Sequence, residues 1–275
     1  MAALGVASGR AMLAVESAGD GPPVVLLHAG VADRRMWRAQ AVALTGAGFR
    51  AVAYDRRGFG ETLHADEEYS HVGDLVAVLD ACAPQAQAIL VGCSQGGRIA
   101  IDAALGHPER VRGLMLAAPA VSGAPEPASL PPAIQAWVDR VERAEAAFDT
   151  DTINALEAHA WLDGPLAREG RVGGAARELF LAMNEIALRA EARGTEIEPP
   201  PAWDRLAEVA KPALVAWGDL DFPGVAETCE HVVATIRGAR RHVFSGAAHL
   251  PNLEQPAAFD RVLLDFCASC AGGRA

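Results

Sequence analysis

The chain has 275 residues, 51% hydrophobic, 21% charged and 5% aromatic, an ordinary globular composition that excludes a collagen, a simple coiled coil or a disordered tail. At roughly 150 residues per domain, this length suits one large domain or two small ones, and either buries a full core without a metal or disulfide staple. The formal charge of −11 repels phosphate backbones, so no nucleic-acid partner is expected.

Met1 to Val6 lacks a basic stretch followed by a long apolar one, so no signal peptide is expected. No apolar run approaches the ~18 residues that cross a bilayer, so no membrane partner is expected. Pro23 to His28, PVVLLH, is a continuous β-branched and leucine run, the pattern of a strand buried on both faces. Arg50 to Asp55, Ala88 to Cys93 and Val111 to Ala118 repeat it. Between them lie helix-length segments: Arg34 to Ala47, Ser70 to Cys82 and Gln95 to Leu105. This alternation predicts an α/β fold, a mostly parallel sheet flanked by helices, with its chemistry at the C-terminal ends of the strands.

The rhythm then breaks. Prolines 119, 125, 127, 131 and 132 mark one boundary, and prolines 199, 200 and 201 the other. Inside, Ile134, Trp137, Val138, Val141 and Phe148 are expected on one helical face. Val172, Ala176, Leu179, Met183, Ile186 and Ala190 hold a 3.6-residue period over five turns. Residues 120–203 therefore read as an inserted helical cap between two pieces of core, 1–119 and 204–275. Strand patterns return at Pro212 to Trp217 and Arg241 to Phe244, with helices at about 225–236 and 256–270.

Cys82, Cys93, Cys229, Cys267 and Cys270 are odd in number, so they cannot all pair within one chain, and unpaired thiols suit a reducing cytoplasm. The single Cys267-Ala-Ser-Cys270 reads as a helix carrying two thiols, and neither a metal nor a cofactor is expected.

Gly92-Cys93-Ser94-Gln95-Gly96-Gly97 joins a buried strand to a helix. A sharp turn there strains Ser94, admits only small neighbours two residues before and after it, and aims helix N-terminal amides at its hydroxyl. A serine needs a base. Of eight histidines, His249 follows the last strand and precedes the last helix. The histidine needs an acid. Asp219 and Asp221, in the loop after the preceding strand, compete, and Asp221 lies further into the loop and reaches more easily toward His249. Two backbone amides are expected to hold an oxyanion: Gln95, next after the serine, and one in the loop His28-Ala29-Gly30-Val31, where Gly30 leaves room for substrate. His28 is expected to be structural.

Along nearly its whole length the chain resembles the α/β-hydrolase superfamily, in its small capped branch of esterases, lactonases, C–C hydrolases and cofactor-free haloperoxidases. The matching residues are LLHAG with Trp37 after it, Tyr54-Asp55-Arg56-Arg57-Gly58-Phe59-Gly60, the Ser94 turn, Gly218-Asp219-Leu220-Asp221, and His249 followed by Glu254 and Pro256. The resemblance implies Asp221 as the acid, Gly30 as the second oxyanion amide and Arg57 as scaffold. Ala29 and Ala248 stand where that family more often has glycine.

The expected function is a serine hydrolase acting on a small ester, thioester or lactone, with Ser94, His249 and Asp221 catalytic. The same triad also serves C–C bond hydrolysis, lyase or perhydrolase chemistry. A non-catalytic small-molecule sensor on the same fold is the reading from another class. The partner expected is a small-molecule substrate, with a homo-oligomer left open. Trp137, Phe148, Trp161, Phe180 and Met183 are candidates either to line a pocket or to dock the cap. A basic pocket would point to a carboxylated substrate, with Arg98, Arg140 or Arg189 in it.

Overall fold

The computed structural model describes residues 2–127 and 129–272. Its sheet begins earlier than the sequence pattern does. β1 (Ala2–Ser8) and β2 (Ala11–Ala18) form an antiparallel hairpin ahead of β3 (Pro23–Leu27). β1 is mostly exposed and carries no alternating apolar signal, which is why the sequence hides it. A 3-10 turn at Arg34–Trp37 leads into α1 (Arg38–Gly46), where one continuous helix was expected. Then follow β4 (Arg50–Tyr54), α2 (His71–Cys82), β5 (Ala88–Cys93), α3 (Gln95–Gly106) and β6 (Val111–Ala117).

Between β6 and the next strand, the described residues contain only helices and connecting loops: α4 (Pro132–Ala146), α5 (Thr150–Glu157), a π-helical turn at Ala158–Asp163, α6 (Gly174–Leu188) and a 3-10 turn at Trp203–Glu208. The chain closes with β7 (Ala213–Gly218), α7 (Pro223–Thr235), β8 (Arg240–Phe244), the short α8 (Pro251–Glu254) and α9 (Pro256–Gly272).

The strands form one eight-stranded sheet in the order β1-β2-β4-β3-β5-β6-β7-β8. β2 pairs antiparallel with β4, and every pairing from β4 to β8 is parallel. Alternate residues of the central strands feed two cores. Val25, Leu27, Leu90, Leu116 and Val215 pack on the face that carries α2, α3 and α7. Val24, Leu26, Val91, Met115 and Ala216 pack on the face that carries α1 and α9. The chain leaves β3 toward β4 on one side and later sets β5 on the other, so the crevice where crossovers diverge opens beyond Leu27 and Cys93.

Two expectations for the inserted helices are corrected. Phe148 lies beyond the end of α4 with a positive φ of 54° and is 91% exposed, so it neither lines a pocket nor docks the cap. α6 starts after Val172 and ends before Ala190, and its buried positions are Phe180, Met183 and Asn184, with Ile186 exposed. Asn184 is buried because it pairs with Asn154 and Glu157 of α5, a polar seam that hydropathy misses. All five cysteines are free and buried, with Cys267 and Cys270 in the α9 core. Among the described residues no helix is long and apolar enough to cross a membrane.

Backbone packs directly on backbone where α3 meets the sheet. A Cβ on Gly96 would sit 2.2 Å from the Leu27 carbonyl oxygen, and one on Gly92 would sit 2.3 Å from the Gly96 carbonyl oxygen. Neither contact relaxes without moving backbone. Gly96→Ala should therefore destabilise the protein by about 2–3 kcal/mol or more in urea unfolding, whereas Gly106→Ala, with open space around it, should change stability little. Equal stabilities for the two variants would contradict this packing.

Candidate active site

Ser94 occupies the turn between β5 and α3 with φ 53° and ψ −116°, a conformation a non-glycine residue holds only when its surroundings impose it. Those surroundings are specific. The Ser94 amide donates to the Ala117 carbonyl at 3.0 Å, and the Ser94 carbonyl accepts from Arg98 and Ala120 at 3.1 and 3.0 Å. The turn thus faces the crevice with the first amides of α3 behind it, where negative charge is favoured.

Asp221 and His249 meet directly: the carboxylate Oδ2 lies 2.7 Å from His249 Nδ1, and both side chains are buried. The other Asp221 oxygen accepts from the Phe222 amide at 2.7 Å. Asp219 does different work. It accepts from the Ser245 hydroxyl and the Gly246 amide and so fixes the turn leading to His249. The structure therefore places Asp221, and not Asp219, against the imidazole. The Cys93 thiol lies 3.7 Å from the His249 carbonyl oxygen, which brings the serine turn beside the histidine loop. The Ser94 hydroxyl itself makes no hydrogen bond to His249 here; such contacts often close only when substrate arrives.

The histidine loop is fastened from three directions. Glu254, nearly fully buried, accepts from the Ala248 amide with both oxygens at 2.9 and 3.1 Å. Arg171 bonds Glu254, the Gly246 carbonyl and the carbonyls of Leu162 and Asp163, and so ties the π-helical turn to this loop. The His249 amide donates to the Trp161 carbonyl at 3.3 Å. Above the pair, the Trp161 ring lies 4.6 Å from the imidazole and 4.7 Å from Phe222, with Trp137 5.6 Å from Phe222. These rings exclude water from the His–Asp contact and strengthen it. Phe180 and Met183 pack in the core. Arg171 was not foreseen: a lone arginine in a loop carries no sequence signal of four partners.

Gly30 and Gln95 lie together. A Cβ on Gly30 would meet the Gln95 side chain at 2.9 Å. Among the described residues neither backbone amide donates to a carbonyl outside the helices and strands. His28 is a buried support: Nε2 accepts from the Arg56 amide at 3.0 Å and Nδ1 faces the Ala29 carbonyl at 2.8 Å. Burial, then the nearby Arg56, hold its pKa well below the ordinary range, so it stays neutral. Arg57 is bound by Asp74, Glu67 and the Ser8 carbonyl, a structural anchor.

A cavity of about 740 Å³ opens beside Ser94. Its wall does not include Ser94 or His249; it starts one residue on, at Gln95, and runs over Tyr69, His71, Arg98, Ala120, Arg193 and Glu196. His71 is buried there, and its burial, with Arg56, Arg98, Arg193 and Arg57 around it, pushes its pKa down to about 2. The unfolded chain binds this proton below about pH 6.5 and the native one does not, so His71 contributes stability at neutral pH that is lost on acidification. Burial pushes Asp55 up to about 6, which acts in the opposite sense, so the clean readout is a difference between proteins. Between pH 6 and pH 4, the stability of the parent should fall relative to His71→Gln by about 1.4 kcal/mol per pH unit in urea unfolding. Parallel pH profiles would show that His71 is not held neutral.

A profile of the alpha/beta hydrolase family matches residues 24–262. Epoxide hydrolase B of Mycobacterium tuberculosis is 40% identical over 101 residues, 35% of this chain, and the chain spans only 28% of that relative's length. A 2-hydroxy-6-oxononadienedioate/2-hydroxy-6-oxononatrienedioate hydrolase of Comamonas testosteroni is 27% identical over 265 residues, 93% of this chain and 91% of that protein. Among solved structures, a thermophilic esterase from Thermogutta terrifontis with malate bound superposes with a TM-score of 0.75 at 25% identity, covering 98% of each chain. With the eight-stranded, mostly parallel sheet and a family profile spanning most of the chain, the protein belongs to the alpha/beta hydrolase family.

Proposed function

We propose that the protein is a serine hydrolase that cleaves a small carboxylic ester, thioester or lactone through an acyl-enzyme. The observation that carries this reading is the buried 2.7 Å contact between Asp221 and His249 at the same sheet edge as the strained Ser94 turn. Asp221 holds the proton of His249 on Nδ1, which leaves Nε2 as the base. Nε2 takes the Ser94 proton as the oxygen attacks the acyl carbon. The amides of Gly30 and Gln95 receive the oxyanion. The imidazolium then protonates the leaving alcohol, thiol or opened-ring oxygen, and a water attacks the acyl-enzyme by the same proton route.

Residues 120–203 serve in this reading as a cap over a core of residues 1–119 and 204–275. Trp161 and Trp137 would form the roof over the His–Asp pair. The full-length similarity to a hydrolase of 6-oxo dienedioates supports a second reading, in which the same three residues hydrolyse a carbon–carbon bond next to a ketone.

Ser94→Ala should lower turnover of 4-nitrophenyl acetate by a factor on the order of 10⁶ with the fold intact. Asp221→Asn should cost on the order of 10⁴ in kcat, and Asp219→Asn far less, since the Asp219 carboxylate bonds the Ser245–Gly246 turn and not the imidazole. Undiminished hydrolysis by Ser94→Ala would remove the serine from the reaction. Equal losses in the two aspartate variants would remove the distinction between the carboxylates.

A further inference from the structure

The chain carries a formal charge of −11, yet among the described residues no carboxylate contacts Arg193, on the wall of the cavity beside Ser94, or Arg56, which bonds Gln95 of that wall. Arg56 is 1% exposed. Its Nη1 donates to Gln95 Oε1 at 2.8 Å and its Nη2 to the Ala29 carbonyl at 3.1 Å, while its buried Nε has no partner. No carboxylate contacts it among the described residues. Burial pushes this guanidinium down to about 10, so it remains charged at neutral pH.

Arg193 is half-buried on the cavity wall and has no ion pair among the described residues. It lies over the Phe59 ring at 5.3 Å, and its stem fills the space above Gly58. Arg98, also on the wall, is already matched by Glu196 at 2.7 Å and Glu198 at 3.2 Å. Glu191 stands exposed at the rim. His71 adds a neutral imidazole, and Tyr69 a nearly buried phenol ring.

A buried cation is stable only when something meets its charge. Here the protein supplies neutral carbonyl and amide oxygens to Arg56, and an aromatic face to Arg193. Glu196 acts on Arg56 only from a distance, and the cavity whose wall runs from Gln95 to Arg193 gives a ligand's negative charge a way to Arg193. Ala120 also lines it, and the Ala120 amide bonds the Ser94 carbonyl, so two residues of the wall, Gln95 and Ala120, adjoin the proposed nucleophile.

We propose that this cavity is an acid-recognition subsite, and that the substrate of the Ser94 site carries a carboxylate which Arg193 binds, in the positive field of Arg56. This deepens the serine-hydrolase reading and rests on it for the reaction, though not for the binding. Arg56 acts as a positioning residue. It holds the Ala29 carbonyl and the Gln95 side chain, and so keeps the two proposed oxyanion amides next to the acid-binding cavity. Substrates of this class are half-esters of dicarboxylic acids, or lactones that bear a carboxylate.

Two probes of equal carbon count test this: the 4-nitrophenyl monoester of glutaric acid and 4-nitrophenyl pentanoate. The parent should favour the charged ester in kcat/KM by about tenfold or more, one ion-paired contact being worth about that factor. Arg193→Gln should cut the charged-to-neutral ratio about tenfold through KM, and the exposed Arg237→Gln should keep the ratio of the parent. A parent that favours the neutral ester, or an Arg193→Gln variant that keeps the ratio, would overturn the subsite.

Calorimetry with the Ser94→Ala variant separates this from the catalytic reading. It should bind monomethyl glutarate in a salt-sensitive manner and bind methyl pentanoate far more weakly, and adding Arg193→Gln should abolish the difference. Hydrolysis of neutral esters with no binding of monomethyl glutarate would end the acid subsite and leave the serine in place. Binding of monomethyl glutarate by a protein that hydrolyses no ester would end the serine reading and leave the subsite.

Discussion

The contact between α3 and the sheet, where Gly96 lies against the Leu27 carbonyl and Gly92 against the Gly96 carbonyl, sets the geometry of everything above it. Because no side chain intervenes, the helix starts immediately after the strand. The intervening residue must then turn through a positive φ, and Ser94 is that residue. The cost of such a backbone, about 1–3 kcal/mol, is offset by the bonds from Ala117, Arg98 and Ala120 and by the buried strands on either side. The same approach brings the loop after β3 beside the start of α3, so Gly30 and Gln95 share one wall.

The histidine side of the site follows a different physical rule. No single tight turn places His249; a set of charged and polar staples does. Asp219 shapes the entry to the loop, Glu254 holds its backbone, and Arg171 ties both to the π-helical turn of the inserted helices. The inserted segment therefore does two things at once. It supplies the aromatic roof over the His–Asp pair, and it fixes the loop that carries the histidine. Its tail returns along residues 67–69, and brings Arg193 and Glu196 to the cavity.

Strands β3 to β7 were legible because each is a short apolar run that is almost wholly buried, and the serine and both aspartates because they follow such runs; β8 is largely exposed, and the histidine was legible because it lies between that last strand and the last helix. The hairpin at Ala2–Ala18 was not legible. Its first strand is solvated, and only Ala11, Leu13 and Val15 alternate in the second. Helical periodicity misplaced Phe148 because the helix ends two residues before it, and it overextended α6 because Val172 and Ala190 continue the pattern by composition alone. The choice between Asp219 and Asp221 was open to residue reading, since both follow β7; only the loop path separates them. Arg193 was missed among the basic candidates because its significance lies in what fails to contact it, which one-dimensional spacing does not encode. Arg98 does reach the cavity, whereas Arg189 lies on a neighbouring one of about 430 Å³.

The account depends on Ser94 being an activated alcohol at the mouth of the crevice, with His249 as its base and Asp221 holding the imidazole in place. The most direct measurement is intact-protein mass spectrometry after exposure to a fluorophosphonate, followed by peptide mapping. One adduct per chain on the peptide containing Ser94, abolished when His249 is replaced by glutamine, is the predicted result. A protein that remains unmodified, or that is modified elsewhere while Ser94 stays free, would contradict it.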